Sequence, residues 1–313
     1  MPRGGSLVLL LLLPFHCVAA ESRFVPLTEF QGTFGFTDVT LMTDTLLVIE
    51  KPGWRLSFET DSRKAFFNGV LVWMNAPMSR VGNKRIFSRT DIDTLAHPIM
   101  TGRHGQALVQ APRVILDPGH GGDDTGAMTK HLRESKVVLD IARRLQHRLA
   151  SGGVQVSLTR DRNRSMELST RAARAAASKA ALFVSIHLNS AANRDAEGIE
   201  TYVLPAAGYA STSGQKTDLS ACPGNRFDQA NTRFAYLVHK ALLNRTMAPD
   251  RGIKHARFEV LKLAPCPALL VECGFVSCPA EEKRLMSSQY LDTVTEGLYD
   301  GILNSIRELT LQK

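Results

Sequence analysis

Two histidines and two glutamates of this chain lie at the predicted ends of strands or at the start of a helix, the positions that commonly form binding sites in parallel α/β sheets. His120 follows an apolar run and an Asp-Pro turn, so we expect it at the carboxyl end of a buried strand. His187 and Glu272 each lie at the end of another apolar run, and Glu134 begins an amphipathic segment. Because the carboxyl ends of parallel strands and the helix starts that follow them share one edge of the sheet, the four side chains are predicted to converge.

Two imidazoles and one carboxylate form the ligand set of a catalytic Zn²⁺ whose fourth position is open to water. A second carboxylate is what such a site needs as general base. Zn²⁺ polarises a carbonyl and lowers the pKa of water to about 7, so the predicted chemistry is amide hydrolysis near neutral pH. Each residue also has an ordinary structural interpretation. Glu134 could be a first-turn helix glutamate, His187 a hydrogen-bonded core histidine, and Glu272 the partner of an arginine or lysine.

The elements that must position these residues alternate between strand and helix from residue 113 onward. This alternation predicts an α/β fold, with a mainly parallel twisted sheet and helices on both faces. Strands are predicted at residues 113–117, 154–159, 181–187, 198–204, 258–261 and 268–272, and helices at 134–150, 168–179, 231–243 and 280–309. Residues 205–228 are rich in Gly, Ser, Thr, Pro and Ala, which is typical of a long loop.

Residues 21–105 have a different pattern, which predicts a small strand-rich α+β module in front of the sheet. Asn68-Gly69 between two apolar runs is a strong hairpin signal. Short helices are expected near residues 27–34 and 90–95. The polar, glycine-containing stretch 100–106 marks a linker, so the second domain is predicted to span residues 106–313.

Residues 1–20 have the pattern of a secretory signal peptide. Arg3 precedes an apolar run too short to cross a bilayer, and Val18-Ala19-Ala20 fits a cleavage site. We therefore expect export to the periplasm or cell envelope, which argues against nucleic acid as a partner. A lipid-attachment signal at Cys17 is a minor alternative. No other segment of the sequence is long and apolar enough for a membrane span.

The composition adds a basic balance and a small set of cysteines. A net charge of +8 and a pI near 9.4 favour polyanionic partners, although a solvated basic face would give the same numbers. Cleavage would leave four cysteines, Cys222, Cys266, Cys273 and Cys278, which allow three disulfide pairings or four apolar thiols. The remaining histidines are expected at the surface: His97, His104, His131, His147, His239 and His255.

Five segments of the chain resemble the zinc-dependent N-acetylmuramoyl-L-alanine amidases of the type 3 class. They are LDPGHGG at 116–122, RE at 133–134, VSIHLN at 184–189, RGIK at 251–254 and LVECGF at 270–275. The resemblance covers about residues 113–307. It implies that His120, Glu134 and His187 hold Zn²⁺ and that Glu272 is the catalytic carboxylate. The family cleaves the amide between the lactyl group of N-acetylmuramic acid and L-alanine in peptidoglycan.

The resemblance also implies peptidoglycan or its muropeptide fragments as partner, with division or wall-remodelling proteins as further partners. Some family members carry a long helix that blocks the metal. Residues 205–228 lack a long amphipathic period, so we expect no such helix and activity of domain 106–313 without an activator. The alternatives are a zinc carboxypeptidase acting on wall stem peptides and a non-catalytic wall-binding protein.

A serine and a lysine in the predicted loop suggest a separate activity. Ser213 and Lys216 fit the S-x-x-K pattern of penicillin-binding enzymes, in which the lysine activates a serine nucleophile. The usual companion motifs are missing from the sequence, so a chance match is the favoured interpretation.

Overall fold

The computed structural model describes residues 23–214 and 218–310. The predicted signal peptide, Cys17 and Lys216 lie outside the described residues. The N-terminal part contains β1 (Phe24–Pro26), α1 (Leu27–Phe34), β2 (Asp38–Leu41), β3 (Leu46–Lys51), β4 (Trp54–Glu59), β5 (Ser62–Phe67), β6 (Val70–Val81) and β7 (Lys84–Ser88). It ends with α2 (Arg89–Asp91), a π-helical turn (Ile92–Ala96) and α3 (His97–Thr101).

The hairpin predicted in this part is present. Asn68 and Gly69 connect β5 to β6 with φ angles of 49° and 83°. Two consecutive positive φ angles match the twist of the flanking strands, which is why Asn-Gly is favoured there. The predicted helix at 27–34 is also confirmed.

The second part begins with β8 (Arg113–Pro118), α4 (Glu134–Ser151), β9 (Gln155–Leu158), α5 (Leu168–Ala177), β10 (Leu182–Asn189) and β11 (Ile199–Val203). It continues with a 3₁₀ turn (Pro223–Phe227), α6 (Asp228–Thr246), β12 (Asp250–His255), α7 (Glu259–Lys262), β13 (Ala268–Phe275), α8 (Pro279–Leu285) and α9 (Ser288–Leu309). The α4 helix forms because its apolar residues recur on one face, and these side chains are buried: Val138, Ile141, Ala142, Leu145 and Leu149.

The strand order in this part confirms the predicted fold class. Strands β9, β8, β10 and β13 lie side by side and run parallel. Strand β11 is antiparallel to β13 and parallel to β12. Helices α4, α6 and α9 pack on one face of the sheet, whereas α5 and α7 cover the other. The carboxyl ends of β8, β10 and β13 therefore share one edge.

The N-terminal part joins the same sheet and the same core. Strand β12 runs parallel to β6, with Ile253 paired to Val72. One hydrophobic cluster includes Phe58 from the N-terminal part and Leu242 from α6. The backbone N–H of Leu71 also donates to a carboxylate oxygen of Asp250 at 2.8 Å. The domain boundary at 105/106 stays a prediction, but the two parts are continuous in packing.

Two predictions about local structure are wrong. Residues 258–261 were expected to form a strand, whereas Glu259–Lys262 forms the short helix α7. An apolar run of this length does not distinguish strand from helix, and Glu259 pairs with Lys262 one turn later at 2.9 Å. His104, His239 and His255 were expected at the surface but are buried. They are buried because the N-terminal part and the helices close over them.

The structure also shows the state of the cysteines and the character of the helices. All four described cysteines are free thiols, and Cys266, Cys273 and Cys278 are buried. These three match the apolar-thiol interpretation. No helix in the described ranges combines the length and the apolar composition that crossing a bilayer requires.

Candidate metal centre

Three of the four predicted site residues converge on one point. The ligand atoms of His120, Glu134 and His187 lie within 4.8 Å of one another. They come from the turn after β8, the first residue of α4 and the end of β10. Glu272 pairs with His187 across the β10–β13 ladder. It lines the same cavity of about 610 Å³ as His120 and His187. The geometry therefore places His120, His187 and Glu272 on the wall of one cavity, with Glu134 buried behind the two histidines.

Glu134 is the centre of this cluster. It is 3% exposed, and its Oε1 lies 3.1 Å from Nε2 of His120 and 2.9 Å from Nδ1 of His187. The backbone N–H groups of Ala127 and Leu188 donate to its two oxygens at 2.7 and 3.0 Å. Burial alone would raise the pKa of Glu134, but the histidines and the N–H of Leu188 lower it to about 2. The carboxylate is therefore ionised at neutral pH.

A further carboxylate orients the His120 ring. Nδ1 of His120 lies 2.8 Å from Oδ2 of Asp124, which leaves Nε2 for the cluster. Histidines that bind metals typically have such a partner on the other ring nitrogen. Our sequence reasoning gave Asp124 no role. Its position four residues after His120, in a glycine-rich turn, was the available signal.

Two glycines allow the backbone to approach the cluster closely. A Cβ atom on Gly119 would lie 2.2 Å from the His187 ring, and one on Gly126 would lie 2.4 Å from Oε2 of Glu134. Gly126 also has a φ of 64°, which disfavours other residues. A side chain at either position would displace a cluster residue.

Buried polar groups hold the turn that carries His120. Asp117 is buried and accepts hydrogen bonds from Thr159 at 2.5 Å, Ser185 at 2.8 Å and Arg171 at 2.8 Å. Arg171 also donates to the carbonyl of His120 at 2.7 Å. These hydrogen bonds hold the end of β8 and the following turn in place. Sequence reasoning assigned no role to these partners.

A second buried arginine ties the same turn to the start of α4. Nη2 of Arg160 donates to the carbonyls of Gly119 and Ser135 at 2.7 and 2.8 Å. Burial lowers the pKa of Arg160 to about 10, so the guanidinium stays charged at neutral pH. Because Ser135 follows Glu134, this arginine links the two segments that carry His120 and Glu134.

Glu272 differs from the other three site residues because it lacks a partner. Its Oε2 atom is buried and has no hydrogen-bond partner among the described residues. Burial, together with the negative charges of Glu134 and Glu200, raises the pKa of Glu272 well above its usual range. A buried carboxylate in this condition favours a cation nearby. The surroundings of Glu272 therefore fit a site that holds a metal ion.

Glu200 is a fifth acidic residue that the sequence did not reveal. It lies opposite Glu272 in the β11–β13 ladder. Arg251 and Lys254 donate to its Oε1 at 2.7 and 2.6 Å, and Asn189 donates to its Oε2 at 2.9 Å. Burial would raise the pKa of Glu200, but these donors lower it. Glu200 is therefore a paired carboxylate beside an unpaired one.

The described residues of the long loop between β11 and α6 do not line the cavity shared by His120, His187 and Glu272, which we call the metal cavity. None of the described residues from 205 to 228 contributes to its walls. Thr212 instead forms a pair of hydrogen bonds with the backbone of His255 at 2.8 Å each. The helical structure of this loop within its described residues is the 3₁₀ turn Pro223–Phe227 and the first residue of α6.

The fold and the site define an α/β protein with a His-Glu-His cluster that could hold a metal at the carboxyl edge of its sheet. The family model for N-acetylmuramoyl-L-alanine amidase (Amidase_3) matches residues 114–304. The chain belongs to this family.

Individual relatives agree with the family match. The chain is 32% identical over 244 residues to N-acetylmuramoyl-L-alanine amidase AmiC of Escherichia coli O6:H1, covering 69% of this chain and 58% of that protein. It is 31% identical over 195 residues to N-acetylmuramoyl-L-alanine amidase LytC of Bacillus subtilis, covering 62% of this chain and 35% of that protein. The chain thus spans about three fifths and one third of the length of these two relatives.

A solved structure matches part of the chain. The catalytic domain of CwlV, an N-acetylmuramoyl-L-alanine amidase from Bacillus (Paenibacillus) polymyxa var. colistinus, superposes with a TM-score of 0.54 and 30% identity. The match covers 63% of this chain and 98% of that domain. The remainder of this chain lies outside the match.

Proposed function

We propose that this protein is a Zn²⁺-dependent amidase that cleaves the bond between N-acetylmuramic acid and L-alanine in peptidoglycan. One observation carries the proposal. His120, Glu134 and His187 form one cluster, and its two histidines line the same cavity as Glu272, whose Oε2 has no partner among the described residues. Membership of the amidase family and the names of the relatives support the choice of substrate.

The ligand set supports Zn²⁺ as the metal. His120, Glu134 and His187 would hold it, since two imidazoles and one carboxylate are a common catalytic zinc set. Glu134 is already ionised, and Asp124 orients the His120 ring. When bound, Zn²⁺ polarises the scissile carbonyl and makes water more acidic.

Glu272 would move the proton in this reaction. A cation held by the neighbouring cluster would favour the ionised form of Glu272, and its Oε2 has no competing partner among the described residues, so it could then accept the proton of the attacking water. The same oxygen would then deliver that proton to the leaving nitrogen of L-alanine, because an amide nitrogen must be protonated to leave. Glu200 stays paired with Arg251 and Lys254 and is not available for this role.

The setting of the enzyme follows from the same proposal. The N-terminal sequence pattern supports export to the periplasm or cell envelope, where peptidoglycan lies. The described residues of the 205–228 loop contribute nothing to the wall of the metal cavity, which supports activity without displacement of a blocking helix. Division or wall-remodelling proteins would be partners in that compartment, as would the peptidoglycan itself.

Digestion of purified peptidoglycan tests the proposal. The full chain is incubated with peptidoglycan, with and without a chelator, and the products are identified by mass spectrometry. We expect free stem peptides that begin with L-alanine, no products with chelator, and recovery after Zn²⁺ is added back. Release of single terminal amino acids would instead show a carboxypeptidase. Wall binding with no product would show a non-catalytic protein.

A further inference from the structure

A second cavity lies where the N-terminal part meets the catalytic sheet. Its volume is about 510 Å³. We call this cavity the module pocket. It is lined by residues of β6, β11, the end of β12 with the segment after it, and the 205–228 loop: Trp73, Tyr202, residues 211–213 and residues 254–258. Phe258 lines both this pocket and the metal cavity. The two cavities are therefore neighbours.

The strand register places both cavities on one face of the sheet. Tyr202 lies opposite Leu270, which is part of the metal cavity wall, and Lys254 lies opposite Tyr202. Ile253 of β12 pairs with Val72 of β6. Successive strand residues point to opposite faces, so Lys254 and Trp73, which follow this pair, lie side by side on the face opposite to Ile253 and Val72. Neighbouring strands are about 4.8 Å apart. Strand β11 lies between β12, which carries Lys254, and β13, which carries Glu272, so the two outer strands are roughly 10 Å apart.

Three buried nitrogen atoms of the module pocket residues lack hydrogen-bond partners among the described residues. They are Nε1 of Trp73, Nδ1 of His255 and Nε of Arg257. His255 is 4% exposed, and burial lowers its pKa to about 3, so the ring is neutral. His255 follows Lys254 in β12, so its side chain lies on the opposite face of the sheet, and the unpaired atoms that can face the cavity are those of Trp73 and Arg257. Buried polar atoms are normally paired, so these two indicate that a ligand supplies their partner.

The charge of the module pocket selects an anion. Its described lining includes two cations, Lys254 and Arg257, and no carboxylate. Lys254 is paired with Glu200. Arg257 donates to the carbonyls of Leu219 and Ser220, both at 3.0 Å. It forms no ion pair with a described carboxylate, although its charge acts on Asp218 and Asp228 nearby. A guanidinium N–H and an indole N–H are both donors, and a carboxylate accepts from both.

We propose that the module pocket binds a carboxylate of the peptidoglycan stem peptide, so that the N-terminal part supplies one wall of the substrate site. This inference rests on the amidase function proposed above. A peptide whose scissile amide lies at Glu272 can run across the sheet face toward Trp73. Since an extended peptide advances about 3.3 Å per residue, roughly three residues cover the distance to Lys254. The pocket therefore takes a carboxylate at about the third residue of the stem.

A binding experiment tests the pocket without using catalysis. Trp54→Phe leaves Trp73 as the only tryptophan of the chain. The zinc-free Trp54→Phe protein is titrated with a stem tetrapeptide beginning with L-alanine, and with the same peptide after amidation of its carboxylates. We expect a change in Trp73 fluorescence, with about tenfold weaker binding of the amidated peptide, since charge-assisted hydrogen bonds are lost. Equal binding of the two peptides would overturn the proposal.

Variants of the pocket connect binding to turnover. Trp73→Phe and Arg257→Gln should each raise the KM for a carboxylate-bearing muropeptide about tenfold. They should leave kcat/KM for N-acetylmuramoyl-L-alanine, which is too short to reach the pocket, unchanged. Trp54→Phe and Arg226→Gln are the matched controls, because Trp54 and the exposed Arg226 lie outside the pocket. Thermal unfolding of each variant identifies any loss of fold.

The outcomes separate this inference from the proposed function. Carboxylate-dependent fluorescence in a protein that hydrolyses nothing would contradict the amidase function and retain an anion site. Hydrolysis with equal KM values for all variants would retain the amidase and overturn the pocket. If inorganic phosphate competes at Trp73 while the two peptides bind equally, the pocket serves a phosphate-bearing polymer instead, and the stem-peptide proposal is wrong.

Discussion

Asp91 in the N-terminal part and Glu272 at the carboxyl edge of the sheet are both acids with buried carboxyl oxygens, but the two have different surroundings. Asp91 accepts hydrogen bonds from the backbone of Asn75 and Ala76 at 2.7 and 3.0 Å, and from the Asn75 side chain at 3.0 Å. At the metal edge, Oε2 of Glu272 has no partner among the described residues. Burial raises the pKa of both, that of Asp91 to about 6 and that of Glu272 well above its usual range.

The two acids share burial and a raised pKa and differ in their hydrogen bonds. Burial and a raised pKa are common to both residues, so neither feature distinguishes a structural from a catalytic carboxylate. The missing hydrogen-bond partner separates Glu272, the catalytic carboxylate that we propose, from Asp91, since a structural acid is expected to be satisfied by its own fold.

The largest effect should follow removal of a metal ligand. His120→Ala and His187→Ala each leave two of the three proposed ligands, so we expect loss of bound zinc and no detectable turnover. Zinc content is measured by elemental analysis of protein purified with one equivalent of Zn²⁺. His147→Ala, on the exposed side of α4, is the control and should retain zinc. Full zinc occupancy in either cluster variant would contradict the ligand assignment.

Glu272→Gln should remove turnover while keeping the metal. The amide has the shape of the carboxyl group but cannot accept the water proton, so we expect a loss on the order of 10³-fold in kcat. Zinc content and the unfolding temperature should stay at or above those of the wild type, because no hydrogen bond of Oε2 is lost. Near-normal hydrolysis of wall fragments by this variant would remove Glu272 from the mechanism.

Asp124→Asn tests a residue that acts on the metal through another side chain. The amide still contacts His120 but no longer presents a negative charge to the ring. Partners of this kind typically affect metal affinity by about 10–100-fold. Zinc affinity, measured by competition with a chromophoric chelator, should fall by that factor, and saturating zinc should restore most of the turnover. An unchanged affinity would show that the Asp124 contact only shapes the turn.

The sequence placed four candidate site residues at one edge of the sheet because each of them is marked by a local pattern. His120, His187 and Glu272 each lie near the end of an apolar strand, and Glu134 opens a helix with a regular apolar face. The topology of parallel sheets then brings such positions to one edge. No information from distant parts of the chain was needed to identify these four positions.

The rest of the site depends on pairing between distant segments, which leaves no local pattern. Strand β12 was not predicted, because its neighbour β6 lies about 180 residues earlier in the chain. His255 was expected at the surface for the same reason, since residues of the loop and of the N-terminal part bury it. Glu200 stands within a short strand, and its role becomes visible only when Arg251 and Lys254 are placed beside it.

The shared sheet also changes what we expect of the isolated domain 106–313. Cutting before residue 106 would remove β6, the partner of β12, and expose a strand edge together with part of the common core. We therefore expect the full chain to be the appropriate protein for every measurement above. The expected independence from an activator concerns the metal cavity and is unaffected.

The smallest effect concerns the stability of the fold and its dependence on pH, through Asp91→Asn. The amide provides one acceptor oxygen where Asp91 accepts from two backbone N–H groups, so one of these loses its partner, at a cost of about 1–3 kcal/mol. In the wild type, a folded pKa of about 6 lies above the unfolded value of 3.8. Between these values the folded state holds a proton that the unfolded state has released. Wild-type stability should therefore rise relative to the variant as the pH falls from 8 to 4, by up to about 3 kcal/mol.

Denaturant unfolding of both proteins at several pH values measures this difference in the free energy of unfolding. The contribution of Glu272 cancels because both proteins retain it. A gap that is constant with pH would show that Asp91 keeps an ordinary pKa. A loss of turnover as large as that of Glu272→Gln would show that a satisfied buried acid can also be essential to catalysis, and the distinction drawn from the missing partner would then fail.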